Sequence, residues 1–140
     1  MDAFDADVLI YAAVHDHPLG RRVRALFRSA PTAATGSVAG LGSVLLIPEL
    51  LTKPMREGVQ SEIEALTALL ARLELRQVDE MTAELATALG ARHGLRAVDA
   101  VHLATAVSAG ADRFITNNSA DFPRRVDEID VTYPNDLPEP

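Results

Sequence analysis

The chain has 140 residues, a formal net charge of −7, 48% hydrophobic residues and no cysteine. That length suits one domain with a proper core, and the missing thiols exclude disulfides and thiolate zinc sites. The acid excess argues against a sequence-reading DNA binder, whose domain is usually basic, and 4% aromatics leave few platforms for stacked bases.

No apolar run approaches the ~20 residues that cross a bilayer. The acidic start Met1-Asp2-Ala3-Phe4-Asp5 is unlike a secretory leader. A cytoplasmic protein without membrane contact is the expectation.

In chain order, a short strand ends at Asp5, followed by a helix over 7–14 with Asp7 at its N-cap or first turn. Pro18 suits the first position of a second helix, which carries Val23, Leu26 and Phe27 at helical spacing and closes near 29–31. The small residues that follow suggest a second strand at 33–38. Residues 43–53 are apolar on most faces, with Glu49 as the one acid, and read as a buried helix that Pro54 breaks or kinks. A helix over 60–73 and a strand over 74–78 come next. Asp79 caps a further helix that Gly94 ends. A last helix spans about 98–109. A strand over 113–116 leads into the polar loop 117–121, a final short strand falls within 126–133, and the proline-containing tail 134–140 is expected to be loose. Strands alternating with helices predict an α/β domain over 1–140, its central sheet of four to five short strands mostly parallel and flanked by helices.

Acidic or amide groups stand where apolar ones are expected at Asp5, Glu49, Asp99 and the pair Asn118 and Asp121. Each has an ordinary explanation. Asp5 or Asp99 would cap a helix, Glu49 would pair with Lys53 for about 0.3–0.5 kcal/mol, and Asn118 with Asp121 would form a turn. His102, one turn after Asp99, reads as a packed or surface residue. Jointly, the separated acids in apolar settings suggest a convergent carboxylate cluster. Oxygen donors of this kind suit Mg²⁺ or Mn²⁺. Gly-rich phosphate loops, the HExxH zinc spacing and the GxSxG elbow are all absent.

Four stretches carry a resemblance to a known family. They are Phe4-Asp5-Ala6-Asp7-Val8-Leu9-Ile10-Tyr11, Ser43-Val44-Leu45-Leu46-Ile47-Pro48-Glu49-Leu50-Leu51, Val98-Asp99-Ala100-Val101-His102-Leu103-Ala104-Thr105-Ala106, and Phe114-Ile115-Thr116-Asn117-Asn118-Ser119-Ala120-Asp121-Phe122. In order and spacing the chain resembles the PIN-domain ribonucleases, and more narrowly the VapC toxins of bacterial toxin–antitoxin pairs. The resemblance implies a PIN-like three-layer fold. It makes Asp5, Glu49 and Asp99 metal-binding acids, and gives Asp121 a catalytic place. The family often has an acid where Asn118 stands here, so Asn118 or Asp121 completes the site. Asp7 and Thr116 are secondary candidates. Also implied are a Mg²⁺ cofactor with Mn²⁺ as substitute, an RNA substrate cut to a 5′-phosphate and a 3′-hydroxyl, a homodimer, and a cognate antitoxin that blocks the site. Lys53 and Arg56, then Arg92 and Arg96, are the candidates for contacting RNA.

Two alternatives remain at this level. Phe4-Asp5-Ala6-Asp7 also resembles the opening of haloacid-dehalogenase-like phosphotransferases, in which Asp5 would be the nucleophile. However, Lys53 is the sole lysine and no late Asp-Asp pair follows. A PIN-like module that binds without catalysis is the other.

Overall fold

Strand β1 (Asp2–Phe4) is the middle of a five-stranded sheet in a computed structural model that describes residues 1–29 and 38–140. After it come α1 (Ala6–Ala13), α2 (Pro18–Ser29), β2 (Gly40–Ser43), α3 (Leu46–Glu57), α4 (Gln60–Leu70) and β3 (Leu73–Arg76). The chain continues through α5 (Glu80–His93), α6 (Ala97–Ser108), β4 (Arg113–Ile115), β5 (Asp130–Thr132) and a 3-10 turn at Pro134–Asp136. The strand order is β3-β2-β1-β4-β5, and all four pairings are parallel.

The chain thus builds outward from β1 in one direction, returns across it, and builds outward in the other. Ligand sites of open parallel sheets form beyond the carboxyl ends of strands at such a reversal, which here is the end of β1 beside β4. Register fixes the geometry: Phe4 lies opposite Ile115, so the next residues, Asp5 and Thr116, leave the sheet together.

Strand alternation divides the core. Phe4 and Ile115 face a cluster with Val8, Leu9, Val23, Phe27, Leu46, Leu50 and Leu66 from α1–α4. Ala3 and Phe114 face the other layer, with Leu89, Leu103, Phe122, Val126 and Val131. The two layers of helices on one sheet make the three-layer architecture expected from the sequence. Among the described residues no helix is long and apolar enough to cross a membrane.

Several boundaries differ from the sequence reading. The second described strand is 40–43. Of the expected strand at 33–38, residues 33–37 lie outside the described residues and Val38 is not in a strand. Glycine hides this strand, because it is poor in strands by composition. A Cβ at Gly40 would stand 2.5 Å from the Asp2 carbonyl oxygen, so the close approach of β2 to β1 requires glycine there.

Pro54 does not end α3; the helix runs on to Glu57 and stops at Gly58 with φ of 68°. Burial of Leu46, Leu50 and Pro54 itself on one side outweighs the single backbone bond that the proline removes. Helix α4 stops at Leu70, and β3 begins at Leu73, which serves as that strand's buried residue and not as the helix's last apolar position. The tail is held as far as Leu137, which is 2% exposed. Arg22 donates to the Leu137 carbonyl at 2.7 Å and pairs with Glu139 at 2.8 Å, and Arg124 grips Asp136.

Candidate metal centre

Asp5 follows β1 directly and caps α1. Its backbone N–H donates to the Ile115 carbonyl at 2.9 Å, which stitches the strand end to β4. Oδ1 accepts from the Ala6 N–H and Oδ2 from the Thr116 hydroxyl, each at 2.8 Å. The carboxylate is 4% exposed. Burial holds its pKa above the usual range, with a further upward push from Glu49, while His102 and the two hydrogen bonds pull the other way.

Glu49 stands in the first turn of α3, where the helix dipole favours an acid. Its Oε2 lies 3.2 Å from His102 Nε2. The imidazole rises from α6 and is 2% exposed. Asp5, Glu49 and His102 each offer a donor atom within 4.8 Å of the others. Burial alone would lower the His102 pKa, but the Glu49 hydrogen bond and the charges of Asp5, Glu49 and Asp99 outweigh it and raise the value.

Asp99, three residues earlier on α6, sits in the first turn; the N-cap position is held by Arg96, whose side chain makes no capping bond. The Asp99 carboxylate lies outside the tight trio but feels it. Burial raises its pKa, and Asp5, Asp121 and Glu49 raise it further. Asp7 is in the first turn of α1 and not its cap. Its Oδ2 accepts from the Asn117 N–H at 3.0 Å, while Oδ1 is buried without a partner among the described residues. Burial first and the charge of Asp5 second push its pKa up to about 7.

The loop after β4 closes the group. The Asn118 N–H donates to the Thr116 hydroxyl oxygen at 3.1 Å. The Asn118 side chain donates to Asp121 Oδ2 at 2.7 Å and accepts from the Asp121 N–H at 3.2 Å. Asn118 is therefore committed to bracing Asp121.

Asp5, Asp7 and Asp99, all with raised pKa and close to the charges of Glu49 and Asp121, need a cation or protons to coexist. With oxygen donors, one imidazole and the unpartnered Asp7 oxygen, the group suits a divalent ion. Residues 3–128 match the model of the PIN domain. The chain belongs to the PIN-domain family. This membership displaces the haloacid-dehalogenase-like alternative.

Solved structures share the fold. A chain of a toxin–antitoxin complex from Klebsiella pneumoniae matches with a TM-score of 0.73 at 22% identity, over 96% of this chain and 98% of that one. A chain of VapBC2 from Rickettsia felis, bound to a DNA fragment from its promoter, matches with a TM-score of 0.68 at 17% identity, over 94% and 97%. No curated protein matches the sequence.

The structure thus gathers Asp5, Glu49, Asp99, Asp121, Asp7, Thr116 and Asn118 around the ends of β1 and β4. Of the basic candidates, Lys53 and Arg56 are exposed on α3, one and two turns beyond Glu49 and on its face. Arg96 is exposed just before α6. Arg92 is engaged with Glu128 at 3.0 Å and Asp127 at 3.4 Å. Sequence reasoning passed over His102. The available signal was its burial-prone place in an Ala-rich helix, three residues after an acid.

Proposed function

We propose that this PIN domain is a divalent-cation-dependent endoribonuclease of the VapC toxin type. The observation that carries the reading is the convergence of Asp5, Glu49 and His102 donor atoms within 4.8 Å at the end of the central strand, with Asp99 electrostatically coupled to them. Asp5, Glu49 and Asp99 would hold Mg²⁺, with Mn²⁺ as substitute. Once bound, such an ion neutralises phosphodiester charge and makes water a better nucleophile.

The chain's own residues supply the rest. The Ala6 N–H and the Thr116 hydroxyl fix both oxygens of Asp5, so that carboxylate stays aimed without reorganisation. Asn118 would orient Asp121 through the two hydrogen bonds between them. The Glu49 side chain, 33% exposed, marks the open side by which a phosphate would arrive. Lys53 and Arg56 extend from that side along α3 and would meet neighbouring phosphates. Arg96 is a weaker candidate, and Arg92 is occupied by its acidic partners.

The toxin reading adds a cognate antitoxin, by analogy with the complexes whose chains share this fold. A basic side chain inserted among the acids would compete with the ion. A homodimer is part of the same proposal, as is the view that residues 1–140 form one unit acting in the cytoplasm.

The test is cleavage of RNA by the purified chain with Mg²⁺ or Mn²⁺, and its loss with chelator. Asp5→Asn and Asp99→Asn should abolish cutting while keeping the fold, and the products should carry 5′-phosphates. Undiminished cutting by both variants would overturn the assignment. A folded wild type that binds a cation but never cuts RNA would favour a binding module.

A further inference from the structure

We propose that His102 is itself a ligand, giving the cation site one imidazole nitrogen beside its carboxylates. The inference deepens the metal-dependent reading and rests on it.

A hydrogen bond between His102 and Glu49 explains why those two side chains meet. It does not explain why Asp5 stands in the same 4.8 Å group. Neither Asp5 oxygen is bonded to the imidazole; they are taken by the Ala6 N–H and the Thr116 hydroxyl. Three donors from three separate elements, the end of β1, α3 and α6, therefore face one point. The 3.2 Å between Nε2 and Oε2 is close to the edge of an octahedron, about 3 Å for bonds of about 2.1 Å.

The ring's surroundings point the same way. His102 is 2% exposed, and its Nδ1 is buried without a partner among the described residues. Among the described residues the ring's one polar engagement is at the Nε2 end, with Glu49. A lysine or arginine there would be a permanent counter-charge and would exclude a cation. An imidazole instead has a lone pair to give. Such a mixed nitrogen and oxygen set favours Mn²⁺ over Mg²⁺, which prefers an all-oxygen shell and keeps its waters.

The test loads the 140-residue chain with Mn²⁺ and examines it by pulsed electron paramagnetic resonance, alongside calorimetric titration with Mn²⁺ and with Mg²⁺. Wild type should show the ¹⁴N coupling of a directly bound imidazole. His102→Gln keeps a donor for Glu49 but offers no imidazole nitrogen. It should lose the coupling and bind Mn²⁺ ~10-fold or more weakly, while Mg²⁺ affinity changes much less. If His102→Gln does not fold, the presence or absence of ¹⁴N coupling in Mn²⁺-loaded wild type decides the assignment. Mn²⁺ bound to wild type without nitrogen coupling would overturn the ligand assignment and leave the metal-dependent reading intact. Failure of wild type to bind either ion would overturn both.

Discussion

The Thr116 hydroxyl links Asp5 to the loop after β4: it donates to Asp5 Oδ2 at 2.8 Å and accepts from the Asn118 N–H at 3.1 Å. One buried side chain therefore fixes a carboxylate and the start of the segment that carries Asp121. Position 116 follows the register pairing of Phe4 with Ile115, so the sheet itself delivers the hydroxyl to the acid.

Thr116→Val tests this link with little change in volume. It removes the donor to Asp5 and leaves the Asn118 N–H without its acceptor. The expected loss is about 1–3 kcal/mol, the usual cost of stranding buried polar groups. Mn²⁺ affinity should fall with it, since Asp5 is then held by Ala6 alone. Chemical denaturation and calorimetry read the two effects. A variant as stable as wild type, with unchanged affinity, would show that the hydroxyl does not organise the site.

Asp7 makes the metal-free protein sensitive to pH. Its pKa is raised from 3.8 to about 7, by burial first and by Asp5 second. Between those values the folded chain holds a proton that the unfolded chain has lost, so stability falls as pH rises across the window. A shift of this size corresponds to at most roughly 4 kcal/mol, less for the partial exposure of the side chain. The upward shifts of Asp5 and Asp99 act in the same direction. So does that of His102, above its ordinary value of 6.5. Chelator-treated protein should therefore melt lower at pH 8 than at pH 5, Asp7→Asn should flatten the difference, and saturating Mn²⁺ should restore stability at pH 8. An equal pH slope in wild type and Asp7→Asn would remove Asp7 from the explanation.

Periodicity and punctuation made most of the architecture legible. Asp79 and Gly94 bound α5 as their residue types suggest, and Asp5 marks the end of β1. What escaped was set by tertiary contact. β2 carries Gly40 where the Asp2 carbonyl oxygen leaves no room for a Cβ, which is invisible to strand propensity. Pro54 sits inside a helix because burial outweighs the missing N–H. The tail is fixed by Arg22, over a hundred residues away in sequence. At the site, acids stand out in apolar stretches and could be read directly. For His102 the sequence offered only its place in an Ala-rich helix three residues after an acid, a weak signal until Glu49 is brought to it from α3. The turn joining Asn118 to Asp121 was expected, but that the Asn118 amide donates to the Asp121 carboxylate shows only in the folded loop.

Asn118 and Asp121 are hydrogen-bonded to each other, and exchanging their chemistry should separate their parts. Asn118→Asp places a carboxylate 2.7 Å from Asp121 Oδ2, where an N–H donor now sits. Like charges at that distance repel, so the metal-free variant should lose stability at neutral pH and regain it under acid, when one group is protonated. Asp121→Asn keeps hydrogen-bonding capacity but removes the charge felt by Asp99. It should fold as wild type does and lose cation affinity or RNA cleavage. Thermal melts at pH 5 and pH 8, with Mn²⁺ titration, distinguish the cases. If Asp121→Asn binds and cuts normally while Asn118→Asp gains affinity, the fourth ligand place belongs to position 118.

Lys53 and Arg56 offer a test of where RNA lies. Both share the face of α3 that carries Glu49, at four and seven residues' distance, and both are exposed. If they neutralise phosphates, Lys53→Ala and Arg56→Ala should each weaken RNA binding across sequences and lower the salt dependence by roughly one ion's worth per contact. Mn²⁺ affinity should not change, because neither side chain belongs to the acid cluster. Arg92→Ala is the matched control. Its guanidinium is held by Glu128 and Asp127, so removing it should leave the salt slope alone. Filter binding of a short single-stranded RNA over a range of salt concentrations, in Ca²⁺ or with a cleavage-dead Asp5→Asn chain, gives the slopes. Equal slopes for wild type and both α3 variants would move the RNA path off α3, and a reduced slope in Arg92→Ala would place it along α5 instead.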